Sequence, residues 1–328
     1  MKATRSPRTA ELYETAIKSW CEANRFESPE EGVKQIKESK DPELDGIGSI
    51  GRLIAALTER KRAPKTIIGY VSAAKKYLAY EDVIISQERF KAKIVLPENY
   101  EVSSDTIPTD EQMRTILLNA NTAKAKALIT LLASSGLRIG EAQRLKVGHI
   151  DFNMKPVKVT VPARRTKTKK KRITFLTDEA AEFLKGHLGA RIHDSESYVF
   201  PNETGDKPAY QGGLIDLVER AIMKAGLRFK LESESARYAI HTHCLRKLFF
   251  SKCIGAGIDR GIVEGFMGHK FGLDSSYLRM NDDQLGEEYL KAMPALTFLK
   301  AENGETRKIV KAQAQEIERL RERLAKLE

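Results

Sequence analysis

The sequence predicts a mainly α-helical protein with a small β-sheet, and three observations carry that expectation. Apolar residues recur at helical spacing through most of the chain. One stretch, residues 157–176, changes to an alternating pattern. A third stretch, residues 97–109 (PENYEVSSDTIPT), has two prolines, acids and serines with no periodicity, which is loop composition. Together they divide the chain into a helical domain at 1–96, a linker at 97–109, a helical domain with a small sheet at 110–300, and a terminal helix at 301–328.

Each element follows from its own pattern. Leu12, Tyr13, Ala16, Ile17 and Trp20 lie on one helical face within residues 9–21, and residues 50–57 and 66–80 repeat the spacing, with Pro64 placed to open the latter. Basic residues flank these helices: Arg60, Lys61, Arg62, Lys65, Lys75 and Lys76. By themselves they describe a solvated charged face. After the linker, Thr109-Asp110-Glu111 marks a helix start leading to Met113 and Asn119. A strongly apolar helix over 124–135 ends at Ser134-Ser135-Gly136. Val157, Val159 and Val161 alternate with Lys158 and Thr160, and Ile173 and Phe175 follow a very basic turn, as in a β-hairpin. Helices are expected again at 178–187, 211–225 and 243–256. Val310, Ile317, Leu320, Leu324 and Leu327 fit a heptad seam, with polar Gln313 in the remaining position. That helix either joins two chains in a coiled coil or packs back on its own domain.

At 328 residues the chain has room for two cores, and 41% apolar with 31% charged residues is the composition of a soluble globular protein. No run approaches the ~18 apolar residues of a membrane span. Residues 1–9 lack the apolar core of a signal peptide, so no membrane association and a cytoplasmic location are expected. Cys21, Cys244 and Cys253 are widely spaced and odd in number, which suggests neither a disulfide framework nor a zinc site. The net charge of +11 favours a polyanionic partner. Lys and Arg outnumber Asp and Glu by 18 to 16 in residues 1–104, by 31 to 23 in 105–300, and by 7 to 6 in 301–328. The excess sits in the middle of the chain.

Five elements there follow one another. SSGLRIGEAQRL contains Arg138 and Glu141 just after Gly136, and TKTKKKR contains Lys167 on the hairpin turn. HCLRK contains His243 and Arg246 at a helix start, MGHK contains His269, and LDSSYLR contains Tyr277. Singly, each has a plainer explanation. Arg138 and Glu141 have the spacing of a helix-surface pair. The run from Arg164 to Arg172, seven basic residues in nine, is the composition of a solvated loop. Lone histidines and tyrosines are mostly structural.

Together they suit phosphodiester chemistry without a metal. Attack on a phosphate builds negative charge on its non-bridging oxygens, and the guanidiniums of Arg138 and Arg246 are fork-shaped donors for those oxygens. Donors held ready for that charge usually supply the largest catalytic contribution. A tyrosine ester of phosphate conserves the bond energy for religation. Its phenol, with a pKa of about 10, needs help losing its proton. The departing 5′ oxygen needs a proton, which a lysine on the hairpin turn can deliver, and His243 and His269 can move protons or donate hydrogen bonds.

The order Arg, Lys, His-x-x-Arg, His, Tyr resembles the tyrosine recombinase (phage integrase) family, closest to integrase-like and Xer-like members from archaea and mobile elements. The likeness covers residues 105–290 in specific motifs, and residues 1–96 match only in size and placement. It implies an N-terminal helical core-binding domain and an α/β catalytic domain. It also implies site-specific cleavage and rejoining of DNA through a covalent 3′-phosphotyrosyl intermediate, with neither metal nor ATP. By motif position, Arg138 and Arg246 would clamp the phosphate, Tyr277 would be the nucleophile, and His269 would contact the phosphate. His243 would be the general base or a hydrogen-bond partner, and Glu141 a buried acid orienting the cluster. Lys167 would be the general acid, because Arg172 five residues later fits the hairpin pattern, although Lys169, Lys170 and Lys171 crowd the same turn. Arg164, Arg165, Lys169, Lys170, Lys171 and Arg172 are expected to contact DNA.

Tyr277 is followed by Leu278-Arg279 where the family commonly has a threonine-rich context. Tyr289 competes for its role but lies in a helical pattern, EEYLKA, where it would pack; His241 competes with His243 but lacks the arginine three residues on. The partner implied is double-stranded DNA, held between residues 1–96 and 105–300 by a homo-tetramer, with 306–328 available for self-association. Competing expectations are a type IB topoisomerase-like or telomere-resolvase-like enzyme, and a DNA-binding protein without catalysis.

Overall fold

Prolines begin the first helices, because a ring-locked φ suits the opening turn and the absent N–H would find no intrahelical partner there. In the computed structural model, which describes residues 7–98, 105–162, 171–230, 238–268 and 280–299, α1 (Pro7–Asn24), α2 (Pro29–Lys37), α3 (Pro42–Glu59) and α4 (Pro64–Tyr80) all start this way. Ser28 and Asp41 accept N–H groups at the starts of α2 and α3. The short α5 (Gln87–Lys93) is capped by Ser86. Helices α2 and α5, and the extension of α3 back to Pro42, were not expected from the sequence.

The chain divides into two compact units, one within residues 1–103 and the other within 104–328. In the first, Trp20, Ile50, Leu53, Leu57, Val71 and Leu78 form a single apolar core. The Trp20 indole donates to the buried Ser49 hydroxyl at 3.0 Å. Lys75 lies over the Phe90 ring at 3.9 Å, and the Lys76 ammonium donates to the Tyr13 hydroxyl at 2.9 Å. Residues 94–98 and 105–109, on either side of 99–104, carry no helix or strand.

The second unit is built around α7 (Ala123–Ser135), which follows α6 (Asp110–Leu118). Thr109 caps α6 and accepts from the Gln112 N–H, while the Gln112 side chain accepts the Thr109 N–H in return. Leu128, Leu131 and Leu132 of α7 are buried with α8 (Ile139–Gln143), α9 (Asp178–Leu188) and α10 (Gln211–Lys224) around them. The sheet is three-stranded and antiparallel in chain order: β1 (Ile150–Asp151), β2 (Val157–Val161) and β3 (Arg172–Leu176). Val157 faces Leu176, Val159 faces Thr174 and Val161 faces Arg172.

This register changes the expected face of β3. Alternation through Ile173 and Phe175 implied one buried side, whereas β3 is packed on both. Leu176 joins the main core, while Phe175 joins a second core with Phe249, Phe266 and Tyr289. Those residues come from α11 (Thr242–Gly255), α12 (Arg260–Met267) and α13 (Asp282–Ala292). No described helix is long and apolar enough to cross a membrane. The expected heptad helix at 306–328 lies outside the described residues.

Candidate active site

A left-handed turn places the first motif. Gly136 ends α7 at φ 62°, and a Cβ there would sit 2.4 Å from the Phe249 ring, so glycine is required on both counts. Arg138 then precedes α8, with its backbone N–H 2.8 Å from Glu141 Oε2 and its Nη1 3.2 Å from Glu141 Oε1. Its side chain remains 30% exposed, so the guanidinium is anchored at one edge and open at another.

Arg246 lies one turn after His243 in α11 and is buried at 4%. Its Nη1 donates to the Gly136 carbonyl, and its Nη2 donates to the Met267 carbonyl at 2.7 Å. Arg138 Nη1 reaches the same Met267 oxygen at 3.4 Å. Two motif arginines, 108 residues apart in sequence, thus converge on the last residue of α12. The negative end of the helix dipole favours cations there. Gly268, at φ 70°, turns the chain away from α12, and His269 is the next residue.

Arg172 completes this arrangement and corrects one expectation. The sequence grouped it with DNA-contacting cations, but its side chain is buried. Nη1 and Nη2 form a fork on Glu141 at 3.0 and 2.6 Å, and Nε donates to the Phe266 carbonyl at 2.9 Å. The inward register opposite Val161 accounts for this: a guanidinium on that face must find an internal anion. Glu141, 4% exposed, is held between Arg138 and Arg172. Burial pushes its carboxyl up, but the Arg172 and Arg138 contacts outweigh that and hold it below the ordinary value. Burial first, then Arg138, pull the Arg246 guanidinium down to about 9, against the opposing influence of Glu141 and Glu264. A phosphate beside that guanidinium would favour its charged form.

His243 is exposed at the edge of the cluster. Desolvation of its inner side, followed by the Arg246 charge, lowers its pKa below 6.5, which leaves the imidazole mainly neutral at pH 7. His241 is stacked near it, ring centroids 6.5 Å apart, and contacts the Cys244 sulfur through Nδ1 at 3.3 Å. Tyr289 is fully buried, with its hydroxyl donating to the Ser134 carbonyl at 2.8 Å, and burial raises its phenol well above 10. It is a core residue. Lys171 is exposed at the foot of the hairpin. Arg164, Arg165, Lys167, Lys169, Lys170, His269 and Tyr277 lie outside the described residues.

Other groups around the site were not found from the sequence. Lys247 pairs with Asp105 at 2.7 Å and Lys252 with Asp110 at 2.5 Å, tying residues 105–110 to α11. Glu219, 8% exposed, accepts the Thr242 N–H and hydroxyl, each at 2.8 Å. One signal was available for it. Glu219 interrupts the apolar stripe of Leu214, Val218 and Ile222 on α10.

Comparisons with known proteins point to one family. The family model described as phage integrase family matches residues 108–273. Tyrosine recombinase XerA of Saccharolobus solfataricus is 24% identical over 299 residues, 87% of each chain. Tyrosine recombinase XerC of Chlamydia caviae is 25% identical over 292 residues, 81% of this chain and 86% of that one. Among solved structures, a lambda integrase tetramer bound to a Holliday junction aligns with a TM-score of 0.58 at 16% identity, covering 85% of this chain and 73% of the other. XerH recombinase bound to its difH substrate aligns with a TM-score of 0.52 at 21% identity, covering 74% and 69%. At those identities the structural likeness establishes the fold. The family match spans half of the chain, from just before α6 to beyond MGHK, and the chain belongs to the phage integrase family.

Proposed function

We propose that this protein is a site-specific DNA recombinase that cuts and rejoins DNA through a tyrosine. The observation that carries this is the convergence of Arg138 and Arg246 on the Met267 carbonyl, one side chain partly open and the other buried. It brings two fork-shaped donors to one place, as the two non-bridging oxygens of a phosphate require. Family membership supports the same conclusion.

In the proposed reaction the Tyr277 hydroxyl oxygen attacks phosphorus, and its proton passes to His243. The new tyrosyl O–P bond replaces the P–O5′ bond, the 5′ oxygen leaves with a proton from Lys167, and the DNA 3′ end stays on the protein. Arg138, Arg246 and His269 stabilise the charge on the phosphate, and Glu141 holds Arg138 directly, with Arg172 bound to its other side. Rejoining reverses these steps, so no external energy source is needed. Residues 1–96 act as a DNA-binding domain and 110–300 as the catalytic domain. Arg164, Arg165, Lys169, Lys170 and Lys171 contact phosphates, which makes binding strongly salt dependent. Four copies act on two duplexes, with 306–328 available to join them, in the cytoplasm and with the nucleoid when bound to DNA.

The test is trapping on nicked duplexes selected from a random-sequence pool, followed by denaturing electrophoresis and peptide mapping. A covalent adduct at Tyr277, lost in Tyr277→Phe with DNA binding retained, is the expected result. Binding without an adduct on any duplex would leave a DNA-binding protein in place of a recombinase.

A further inference from the structure

We propose that Glu219 is a positioning residue for strand transfer, its buried carboxylate setting the start of the helix that carries His243 and Arg246. The proposal rests on the recombinase function above and adds a residue that lies outside all five motifs.

Glu219 lies on the inner face of α10 beside Val218 and Ile222. A carboxylate in such a place is costly unless it is hydrogen-bonded. Oε1 accepts two bonds from one residue, the Thr242 N–H and the Thr242 hydroxyl, each at 2.8 Å. The first N–H groups of a helix have no partner within it, so an acceptor from elsewhere decides how the helix is seated. For α11 that acceptor comes from another helix, and its negative charge suits the positive end of the α11 dipole. Thr242 stands between His241 and His243, with Arg246 one turn further on. The carboxylate therefore acts at the point from which both motif side chains project.

The other carboxylate oxygen adds a second observation. Glu219 Oε2 and Arg228 Nε are both buried without a hydrogen-bond partner, 3.9 Å from each other. Arg228 is itself held over the Tyr238 ring at 4.2 Å. Arg228 thus faces the carboxylate at ion-pair distance without drawing it off Thr242. A group needed only to fill the α10 face would be apolar, like its neighbours. An error near 1 Å in placing a catalytic group can cost about 10²-fold in rate, and that is the scale on which Glu219 should register.

The experiment uses the full chain and a nicked duplex that the unaltered protein converts to covalent adduct, and it compares Glu219→Ala, Glu219→Gln and Thr242→Val. Glu219→Ala should slow single-turnover adduct formation about 10²-fold while its DNA dissociation constant stays within about threefold. Glu219→Gln keeps an oxygen for the same two bonds and should recover most of the rate. Thr242→Val keeps the N–H bond alone and should fall between them. Adduct formation by Glu219→Ala at the unaltered rate overturns the proposal. So do equal losses in Glu219→Ala and Glu219→Gln, and so does parallel loss of binding and rate, which marks a merely structural group. Absence of adduct from the unaltered protein would instead remove the recombinase function, and this inference with it.

Discussion

The two units handle charge in opposite ways. In the first, the buried polar side chain among the described residues is Ser49, and the ion pairs lie outside, as where Arg89 spans Asp41 and Glu43 at 2.6 and 2.5 Å. The second buries Glu141, Arg172, Glu219 and Arg246. An apolar core can be made of interchangeable parts, but a buried ion must have a partner at a set distance. The first unit can therefore be stable with little dependence on individual contacts. The second is committed to one arrangement, and that commitment lies where a phosphate would have to be met.

This contrast can be broken by substitution. Glu141→Ala should have the largest effect on stability, because it leaves the buried Arg172 guanidinium without its anion, a loss of about 3–5 kcal/mol. Denaturant unfolding with probes in each unit checks this. The transition of the second unit should shift and that of the first, reported by Trp20, should stay. A small loss would mean that the buried charge is tolerated without its partner.

Arg246→Ala comes next. It should lower adduct formation by about 10²–10³-fold, the usual effect of losing one preorganised donor, with only modest weakening of DNA binding. Single-turnover trapping measures it, and near-normal cleavage would remove the phosphate clamp from the mechanism. Ser49→Ala tests the other side of the comparison. Leaving the Trp20 indole N–H unsatisfied should cost about 1–3 kcal/mol in the first unit, with the adduct rate per folded molecule unchanged.

The smallest effect concerns His243. Its folded pKa is depressed, so folding favours the neutral ring, and the stability it contributes is present above 6.5 and lost as the pH falls through that region. An NMR titration should place its midpoint below 6.5, and Arg246→Ala should raise it by removing the second cause of the shift. A midpoint above 6.5 would mean that a carboxylate, with Asp105 the nearest candidate, dominates the ring's surroundings.

Much of the fold was legible because local signals are strong where helices are long. The α4 and α7 patterns, the Thr109 cap and the Gly136 stop each depend on residues within a few positions of one another. Helices α2, α5, α8, α12 and α13 are short, and their apolar positions make sense only against neighbours that the sequence does not place beside them. Arg172 is the sharpest case. In the chain it ends a run of seven basic residues in nine, and only its pairing with Val161 turns it inward. Glu219 was missed for the same reason: its partner, Thr242, is 23 residues away on another helix.

By itself the sequence determined the helical class, the break near residue 100, the hairpin and the order of the motif residues. These follow from periodicity, turn chemistry and residue type, all of which are local. Only the tertiary structure decided which cations face inward, and that Arg138 and Arg246 share the Met267 carbonyl. Those outcomes depend on contacts between residues on different elements, 31 positions apart for Arg172 with Glu141 and 129 for Arg138 with Met267. Burial charges a free-energy penalty for each unpaired ion, and only the folded chain brings the partners together that remove it.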